Sequence, residues 1–155
     1  MKKLASIGFA LAAIMFVLAG TGFAEALPAF KLKSADGSMV SNETLKDKSA
    51  VLVFAQTACS QCRTEMKAID KNLEAIQEKA RVYVVLVDTN EERGAMLYEQ
   101  MGFKAPVIFD SSYSLPSALG INATPATVVV DKTGTITMKQ VGYSPAVISD
   151  IMGKI

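Results

Sequence analysis

The stretch VLVFAQTACSQC, residues 51–62, joins a short apolar run to a helical pattern and contains both cysteines of the chain, Cys59 and Cys62. A continuous apolar run such as residues 51–55 is typical of a strand that is buried on both faces. The residues after Cys62 instead show helical spacing. The stretch therefore predicts a strand, a short turn and a helix, with the two cysteines at the start of the helix.

This placement of the cysteines suits reversible redox chemistry. The unpaired backbone N–H groups and the positive dipole end of a helix N-terminus stabilise an anion, so the thiol of Cys59 should ionise easily. The helix brings Cys62, three residues later, to nearly the same side. We predict that Cys59 is the exposed nucleophile and that Cys62 resolves the mixed disulfide, so that the pair cycles between two thiols and one disulfide.

One apolar stripe continues along the helix after the motif, in alternating steps of four and three residues. Cys62 lies on the centre line of this stripe, which predicts a buried sulfur, unlike that of Cys59. Lys67, Lys71 and Glu74 fall on the opposite, solvated side. The members of the stripe are Cys62, Met66, Ile69, Leu73, Ile76 and Ala80.

The composition indicates one domain and excludes one class of function. The chain has 155 residues, of which 50% are hydrophobic, which suffices for one domain with a core but not for two ordinary ones. Its formal net charge is +1, and it has no basic block and no interleaving of basic and aromatic residues. Nucleic acid is therefore not an expected partner.

Residues 1–24 have the pattern of an export segment. Two lysines precede an uncharged apolar run from Leu4 to Ala24, and small residues permit cleavage after Ala24 or after Ala26. The run also approaches the ~20 residues that span a bilayer, so retention as an N-terminal membrane anchor stays an alternative to removal. We predict an exported, periplasmic or otherwise extracytoplasmic protein whose domain covers residues 25–155, in a compartment that permits disulfides.

The rest of the chain predicts alternating strands and helices. The turn Ala35-Asp36-Gly37 lies between strand-like residues 29–33 and 38–41 and predicts a hairpin. The strand, helix, strand order around the cysteines predicts a βαβ unit with a parallel pair. Ser144 should cap the last helix, with Pro145 at its first position. Further predicted elements are strands at residues 82–87, 107–109, 126–130 and 136–141, and helices at residues 91–101 and 114–119.

In these features the chain resembles the TlpA/ResA-like thiol–disulfide oxidoreductases, an exported branch of the thioredoxin superfamily, from about Pro28 to the C-terminus. The resemblance implies an α/β, thioredoxin-like fold with a mixed central sheet flanked by helices, an N-terminal β-hairpin and an extra αβ insertion at residues 88–110. It is carried by Asp36-Gly37, by residues 51–54 before Cys59-Ser60-Gln61-Cys62, by residues 88–110, by Ala123-Thr124-Pro125-Ala126-Thr127 and by Asp131-Lys132-Thr133-Gly134.

The resemblance also implies roles for residues outside the cysteine pair. It places a cis peptide bond between Thr124 and Pro125, beside the disulfide, where Thr124 would pair with the backbone of an extended substrate segment. The alternative is a proline that merely begins an edge strand. Glu65 matches an acidic position of the family and would exchange a proton with Cys62; the alternative is an ordinary glutamate at the boundary of the helix. Arg63 would either favour the Cys59 thiolate or be a solvated surface arginine.

Three positions depart from the family pattern. Thr57-Ala58 replaces the aromatic residue that usually precedes the first cysteine, which predicts a different substrate surface. Val53 stands where thioredoxin has a buried acid, so a proton relay through that position is missing. Lys67 replaces a common proline, which predicts a straighter helix.

The sequence thus predicts an enzyme, a thiol–disulfide oxidoreductase that needs no cofactor and no metal. Its partners would be protein thiols or disulfides and a membrane or periplasmic redox partner. A reductant or an isomerase-like exchange partner is preferred to a strong oxidant, because strong oxidants depend on a very stable thiolate and their active-site histidine is absent. The alternatives are a peroxiredoxin-like thiol peroxidase, although no proline closely precedes Cys59, and a binding domain with a structural disulfide, although so short a loop is a weak constraint.

Overall fold

The computed structural model describes residues 24–155, so the predicted export segment lies outside the described residues except for Ala24. Within this range the chain forms seven strands and six helices. The strands are β1 (Lys31–Ser34), β2 (Met39–Ser41), β3 (Ser49–Ala55), β4 (Ala80–Leu86), β5 (Val107–Phe109), β6 (Ala126–Val130) and β7 (Ile136–Val141). The helices are α1 (Asn42–Leu45), α2 (Ser60–Lys71), α3 (Leu73–Lys79), α4 (Glu91–Gln100), α5 (Ser114–Ala118) and α6 (Val147–Met152).

The strands form one mixed sheet in the order β2-β1-β5-β4-β3-β6-β7. Strand β3 pairs in parallel with β4, and β4 in parallel with β5, whereas the other neighbours are antiparallel. The connection from β3 through α2 and α3 to β4 is the predicted βαβ unit. The predicted α/β, thioredoxin-like fold with a mixed central sheet is therefore confirmed.

The N-terminal hairpin and the αβ insertion are both present. Strands β1 and β2 are antiparallel, and at their turn the backbone N–H of Ser38 donates to the carboxylate of Asp36 at 2.9 Å. Gly37 takes a φ of +85°, which favours glycine. The insertion consists of α4 and β5, and β5 lies between β1 and β4. Strand β5 of the insertion therefore pairs with the hairpin on one side and with β4 on the other.

The central strand β3 is buried on both faces, which explains its continuous apolar run. Val51 and Val53 belong to a core cluster with Met66 of α2, and Leu52 and Phe54 belong to the cluster on the opposite face. The end of β3 is therefore held rigidly between two packed layers. The turn that carries the cysteines begins at this end.

The helical segment after the cysteines is interrupted, although its predicted apolar stripe is correct. All six members of the stripe are buried, from Cys62 to Ala80. Helix α2 continues without interruption past Lys67 to Lys71, but the helical conformation is interrupted at Asn72, where φ is −113° and ψ is 11°. The Asn72 amide donates to the carbonyl oxygen of Ala68 at 2.9 Å. This local side-chain bond competes with helix continuation, and the stripe resumes in α3.

The last helix begins later than predicted. The side chain of Ser144 accepts a hydrogen bond from the backbone N–H of Ala146 at 3.1 Å, as a cap would. However, the backbone N–H of Val147 donates to the carbonyl oxygen of Ser144, three residues back. Ser144 and Pro145 therefore form a tight turn, and α6 starts at Val147.

Candidate active site

The two cysteines lie at the N-terminus of α2, directly after the turn that follows β3. Their Cα atoms are 5.2 Å apart and their sulfur atoms are bonded as a disulfide. Cys59 is the N-cap residue of α2, and its Sγ accepts a hydrogen bond from the backbone N–H of Cys62 at 3.1 Å. A backbone donor at a helix N-terminus stabilises a thiolate. The same hydrogen bond would therefore favour ionisation of Cys59 once the disulfide is reduced.

The two sulfurs have unequal access to solvent. Cys59 is partly exposed, whereas Cys62 has an exposed fraction of 0% and packs in the core beneath α2. Of the two sulfurs, only that of Cys59 is therefore accessible from solvent. The arrangement suits a nucleophile and a shielded resolving thiol.

The Thr124–Pro125 peptide bond is cis and lies beside the disulfide. The carbonyl oxygen of Thr124 is 3.8 Å from the Sγ of Cys59. Pro125 is buried, Thr124 is half-buried, and strand β6 begins directly after them. Because β6 is antiparallel to β3, the start of β6 meets the end of β3. This register brings Thr124 to Cys59, which is 65 positions away along the chain.

Glu65 is buried in the core, so it is not an ordinary glutamate at the boundary of the helix. Its exposed fraction is 1%. The hydroxyl of Thr127 in β6 donates to its Oε1, while its Oε2 has no hydrogen-bond partner among the described residues. Burial raises the pKa of Glu65 above its usual value, and the Thr127 hydroxyl opposes this in part. The site thus holds a carboxyl group with one free oxygen, three residues after Cys62.

The turn before Cys59 is fixed by contacts that the sequence analysis missed. Thr57 has an exposed fraction of 3%, and its hydroxyl donates to the carboxylate of Asp88 at 2.7 Å. The backbone N–H of Thr57 donates to the same carboxylate at 3.1 Å. The guanidinium of Arg63 donates to the carbonyl oxygen of Thr57 at 2.9 Å. Arg63 is therefore not a freely solvated surface residue but half-buried against this turn.

The position of Asp88 offered a signal that could have revealed this contact. Asp88 is the second residue after the end of β4, and β4 is parallel to β3. The carboxyl ends of neighbouring parallel strands meet at one edge of a sheet, where ligands and functional groups gather. A polar residue directly after β4 should therefore lie near the turn directly after β3.

A cleft of about 220 Å³ opens beside Ala58, the residue that replaces the family's aromatic side chain. Ala58 itself is exposed. The protein surface beside Ala58, next to Cys59 in the chain, is thus recessed. Its walls include Thr57, Asp88, Asn90, Arg93 and Leu97.

In residues 24–155, no three histidine, cysteine, aspartate or glutamate side chains come together in a way that could hold a metal ion. No helix of this range has the length and apolar character needed to cross a bilayer.

Comparison with known proteins identifies the family. A model of the AhpC/TSA family matches residues 23–139. The chain belongs to the AhpC/TSA family. Among characterised relatives, the thiol–disulfide oxidoreductase ResA of Halalkalibacterium halodurans is 25% identical over 115 residues, which is 73% of this chain and 65% of the relative. The chain thus spans just under two thirds of that relative's length.

Solved structures support the same fold. A thiol:disulfide interchange protein described as DsbE, from Chlorobium tepidum, superimposes with a TM-score of 0.76 at 20% identity, covering 84% of this chain and 93% of that one. The exposed lipoprotein thioredoxin Etrx1 of Streptococcus pneumoniae gives a TM-score of 0.72 at 22% identity, covering 81% and 99%. The family match and the ResA relative support the expected resemblance to TlpA/ResA-like proteins, and these neighbours show a thioredoxin-like fold. The relatives' names support the expected enzyme class, an oxidoreductase.

Proposed function

We propose that this AhpC/TSA-family chain is an exported thiol–disulfide oxidoreductase that exchanges disulfides with protein substrates through Cys59 and Cys62. The observation that carries the proposal is the unequal cysteine pair at the start of α2. Cys59 is accessible, accepts the Cys62 N–H at 3.1 Å and lies 3.8 Å from the Thr124 carbonyl oxygen. A structural disulfide does not require a helix N-terminus or a neighbouring peptide-docking loop.

Exchange with a substrate disulfide proceeds in two steps. The Cys59 thiolate attacks one substrate sulfur, the substrate S–S bond breaks, and the other substrate sulfur leaves as a thiolate that takes a proton from water. Cys62 then loses its proton and attacks the Sγ of Cys59, which releases the second substrate sulfur as a thiolate. Two electrons pass to the substrate, and the enzyme is left with the Cys59–Cys62 disulfide.

Glu65 is the proposed proton acceptor for Cys62. Because Cys62 is fully buried, its proton cannot pass directly to bulk water. Glu65 lies on the same helix one turn further along, and its free Oε2 can take the proton while Thr127 holds Oε1. The raised pKa of Glu65 makes this carboxylate a better base for a thiol than an exposed one.

Thr124 and Pro125 are the proposed docking site for the substrate. A half-buried Thr124 beside Cys59 can offer its backbone to an extended segment, as an additional strand offers itself to a sheet edge. Such pairing tolerates many side chains. Selectivity among substrates then depends on the surface next to it, which includes the recess beside Ala58.

The proposed direction is reduction of substrates, with electrons supplied by a membrane or periplasmic redox partner. The Asp88 carboxylate binds the N–H and the hydroxyl of Thr57, the residue two positions before Cys59, and so places a negative charge on the turn before the nucleophile. A nearby anion disfavours a thiolate, and a less stable thiolate makes a couple more reducing. The pattern of residues 1–24 supports export, as does the exposed lipoprotein among the structural neighbours.

We propose that the mature domain begins at Glu25. The carbonyl oxygen of Glu25 accepts from the Ile136 N–H at 2.8 Å, and its carboxylate pairs with Lys139 at 2.8 Å. Ala26 also bridges to Thr135 beside β7. Cleavage after Ala24 preserves these contacts, whereas cleavage after Ala26 removes them.

This boundary can be tested by truncation. A chain starting at Glu25 is expected to be more stable than one starting at Leu27 by about 1–2 kcal/mol, for one backbone hydrogen bond and one half-exposed ion pair. Urea unfolding of both chains measures the difference, and Glu25→Gln separates the ion pair from the backbone bond. Equal midpoints would remove the structural reason for placing the boundary at Glu25.

The function itself is tested by the reduction potential and the exchange rate of the cysteine pair. The chain from residue 25 onward contains all the described strands, helices and both core clusters, so it should fold as a unit. Equilibration with dithiothreitol or glutathione buffers, followed by counting free thiols, is expected to give a potential below roughly −220 mV, with fast exchange with a model protein disulfide. A bond that resists reduction and exchanges slowly would point to a structural disulfide.

The thiol peroxidase hypothesis is tested in the same preparation. The reduced chain is mixed with hydrogen peroxide and, separately, with the model protein disulfide, and thiol loss is followed in both. We expect the protein disulfide to oxidise the pair much faster. Faster oxidation by peroxide would replace the proposed function with peroxide reduction.

A further inference from the structure

We propose that Asp88 and Arg63 form a charge clamp on Thr57 that positions the turn before Cys59 and sets the stability of the Cys59 thiolate. This inference rests on the proposed function, since it concerns the redox potential of the same pair. Asp88 and Arg63 act through Thr57 and are positioning residues. No role in the two chemical steps is assigned to them.

The clamp holds every polar group of Thr57. Its N–H and its hydroxyl both donate to the Asp88 carboxylate, at 3.1 and 2.7 Å. Its carbonyl oxygen accepts from Arg63 at 2.9 Å. Hydrogen bonds to charged groups are roughly twice as strong as neutral ones. Thr57 is therefore held by an anion at its N–H and hydroxyl and by a cation at its carbonyl oxygen.

The two charges come from different parts of the fold. Asp88 lies after β4, at the entrance to the αβ insertion, and Arg63 lies in the first turn of α2. Thr57 connects them, two residues before Cys59. The clamp thus ties the insertion to the helix that carries the cysteine pair.

The charges also act on Cys59 through space, and in opposite directions. The Asp88 carboxylate disfavours a thiolate at Cys59, and the Arg63 guanidinium favours it. Two other charged groups belong to the neighbouring elements: Arg93, which lines the cleft beside Ala58, and the buried Glu65, three residues after Cys62 on α2. Asp88 and Arg63 are distinguished from both by their direct bonds to the turn.

Asp88 is itself held by close packing against α4. A Cβ built on Gly94 would lie 3.2 Å from the Cβ of Asp88, which is tighter than most real contacts. Any larger residue at position 94 must therefore displace Asp88. This contact offers a way to perturb the clamp without changing any of its charges.

The first experiment compares the reduction potentials of Asp88→Asn and Arg63→Gln in the chain from residue 25 onward. Asp88→Asn should raise the potential and lower the pKa of Cys59, because a negative charge is removed. Arg63→Gln should lower the potential and raise that pKa. We expect a shift of about tenfold in the thiol–disulfide equilibrium constant for each, which is about 30 mV for this two-electron couple.

The second experiment tests the route through Thr57. Thr57→Val removes the hydroxyl bond and should shift the potential towards the Asp88→Asn value, whereas Thr57→Ser keeps the hydroxyl and should restore the wild-type value. Gly94→Ala should shift it in the same direction as Thr57→Val. The matched control is Gly153→Ala, whose added Cβ makes only an ordinary contact of 3.5 Å with the backbone.

The opposite signs decide the outcome, because a loosened turn without charge effects would move both potentials in the same direction. Shifts of the same sign, or no shift in either variant, would overturn the clamp. The potentials are measured at equilibrium in dithiothreitol buffers, so they do not require any protein substrate. A failure of the proposed function would instead appear as slow exchange of the wild-type chain with protein disulfides, whatever the potentials of the variants.

Discussion

Cys62→Ser is expected to abolish turnover and to trap the substrate on the enzyme as a mixed disulfide with Cys59. The variant retains the exposed nucleophile but lacks the buried thiol that resolves the intermediate. Loss of a residue that acts in the covalent step should lower activity by on the order of 10³-fold or more. The adduct is measured by non-reducing electrophoresis and by mass spectrometry after reaction with a protein disulfide.

Cys59→Ser provides the contrasting variant. It should lose activity to a similar extent but form no adduct, because Cys62 has an exposed fraction of 0% and cannot reach a protein substrate. Ser60→Ala is the matched control, since the exposed side chain of Ser60 makes no hydrogen bond within residues 24–155 and the variant should keep turnover. An adduct carried by Cys62 in the Cys59→Ser variant would reverse the roles of the two cysteines.

Glu65→Gln is expected to slow the resolving step by about 100-fold, the usual size of a general acid–base contribution. Glutamine keeps the shape of the side chain and an oxygen for the Thr127 hydroxyl, but it cannot accept the proton of Cys62. The attack of Cys59 on the substrate should be nearly unchanged. Stopped-flow mixing of the reduced chain with a model disulfide separates the formation of the mixed disulfide from its decay.

The same variant should be more stable than the wild type at neutral pH, by about 1–3 kcal/mol, because a buried carboxylate with an unpartnered oxygen is costly. The pKa of Glu65 is raised in the folded protein. The stability associated with its neutral form is thus fully present below its ordinary value of 4.5 and is lost as pH rises through the raised pKa. The advantage of Glu65→Gln should therefore disappear in acid.

Urea unfolding at pH 4 and at pH 8 measures this difference. Glu74→Gln is the matched control, because Glu74 is exposed on the neighbouring helix and its neutralisation should change neither stability nor exchange. Slower resolution combined with greater stability cannot result from general damage to the fold. If Glu65→Gln were both slower and less stable at pH 8, the carboxyl group would have a structural role instead.

Local patterns predicted much of the fold. The bounds of β5, β6 and β7 agree with the prediction, because each is rich in β-branched or aromatic residues and bounded by turn signals such as Gly134. The buried stripe from Cys62 to Ile76 also agrees, since helical spacing decides which side chains share a face; Ala80, its last predicted member, is buried as the first residue of β4. The break at Asn72 and the late start of α6 were missed, because single side-chain and backbone hydrogen bonds decide where a helix begins and ends.

The candidate site was predicted less completely than the fold. The position of Cys59 and Cys62 after a buried strand could be deduced from residues 51–62 alone. The full burial of Glu65 could not, because it depends on Thr127, which arrives from β6. The bonds from Asp88 to Thr57 likewise join residues that are 31 positions apart.

The sequence by itself determined the cysteine pair at a helix N-terminus, the βαβ unit around it and the inward face of its helix. These depend on residues close together in the chain, whose spacing sets their relative directions. Only the tertiary structure decided which groups surround the pair: Thr124 beside Cys59, Thr127 on Glu65, and Asp88 and Arg63 on Thr57. Strand order and register bring these distant residues into contact, and both are set by how the whole core packs rather than by any local pattern.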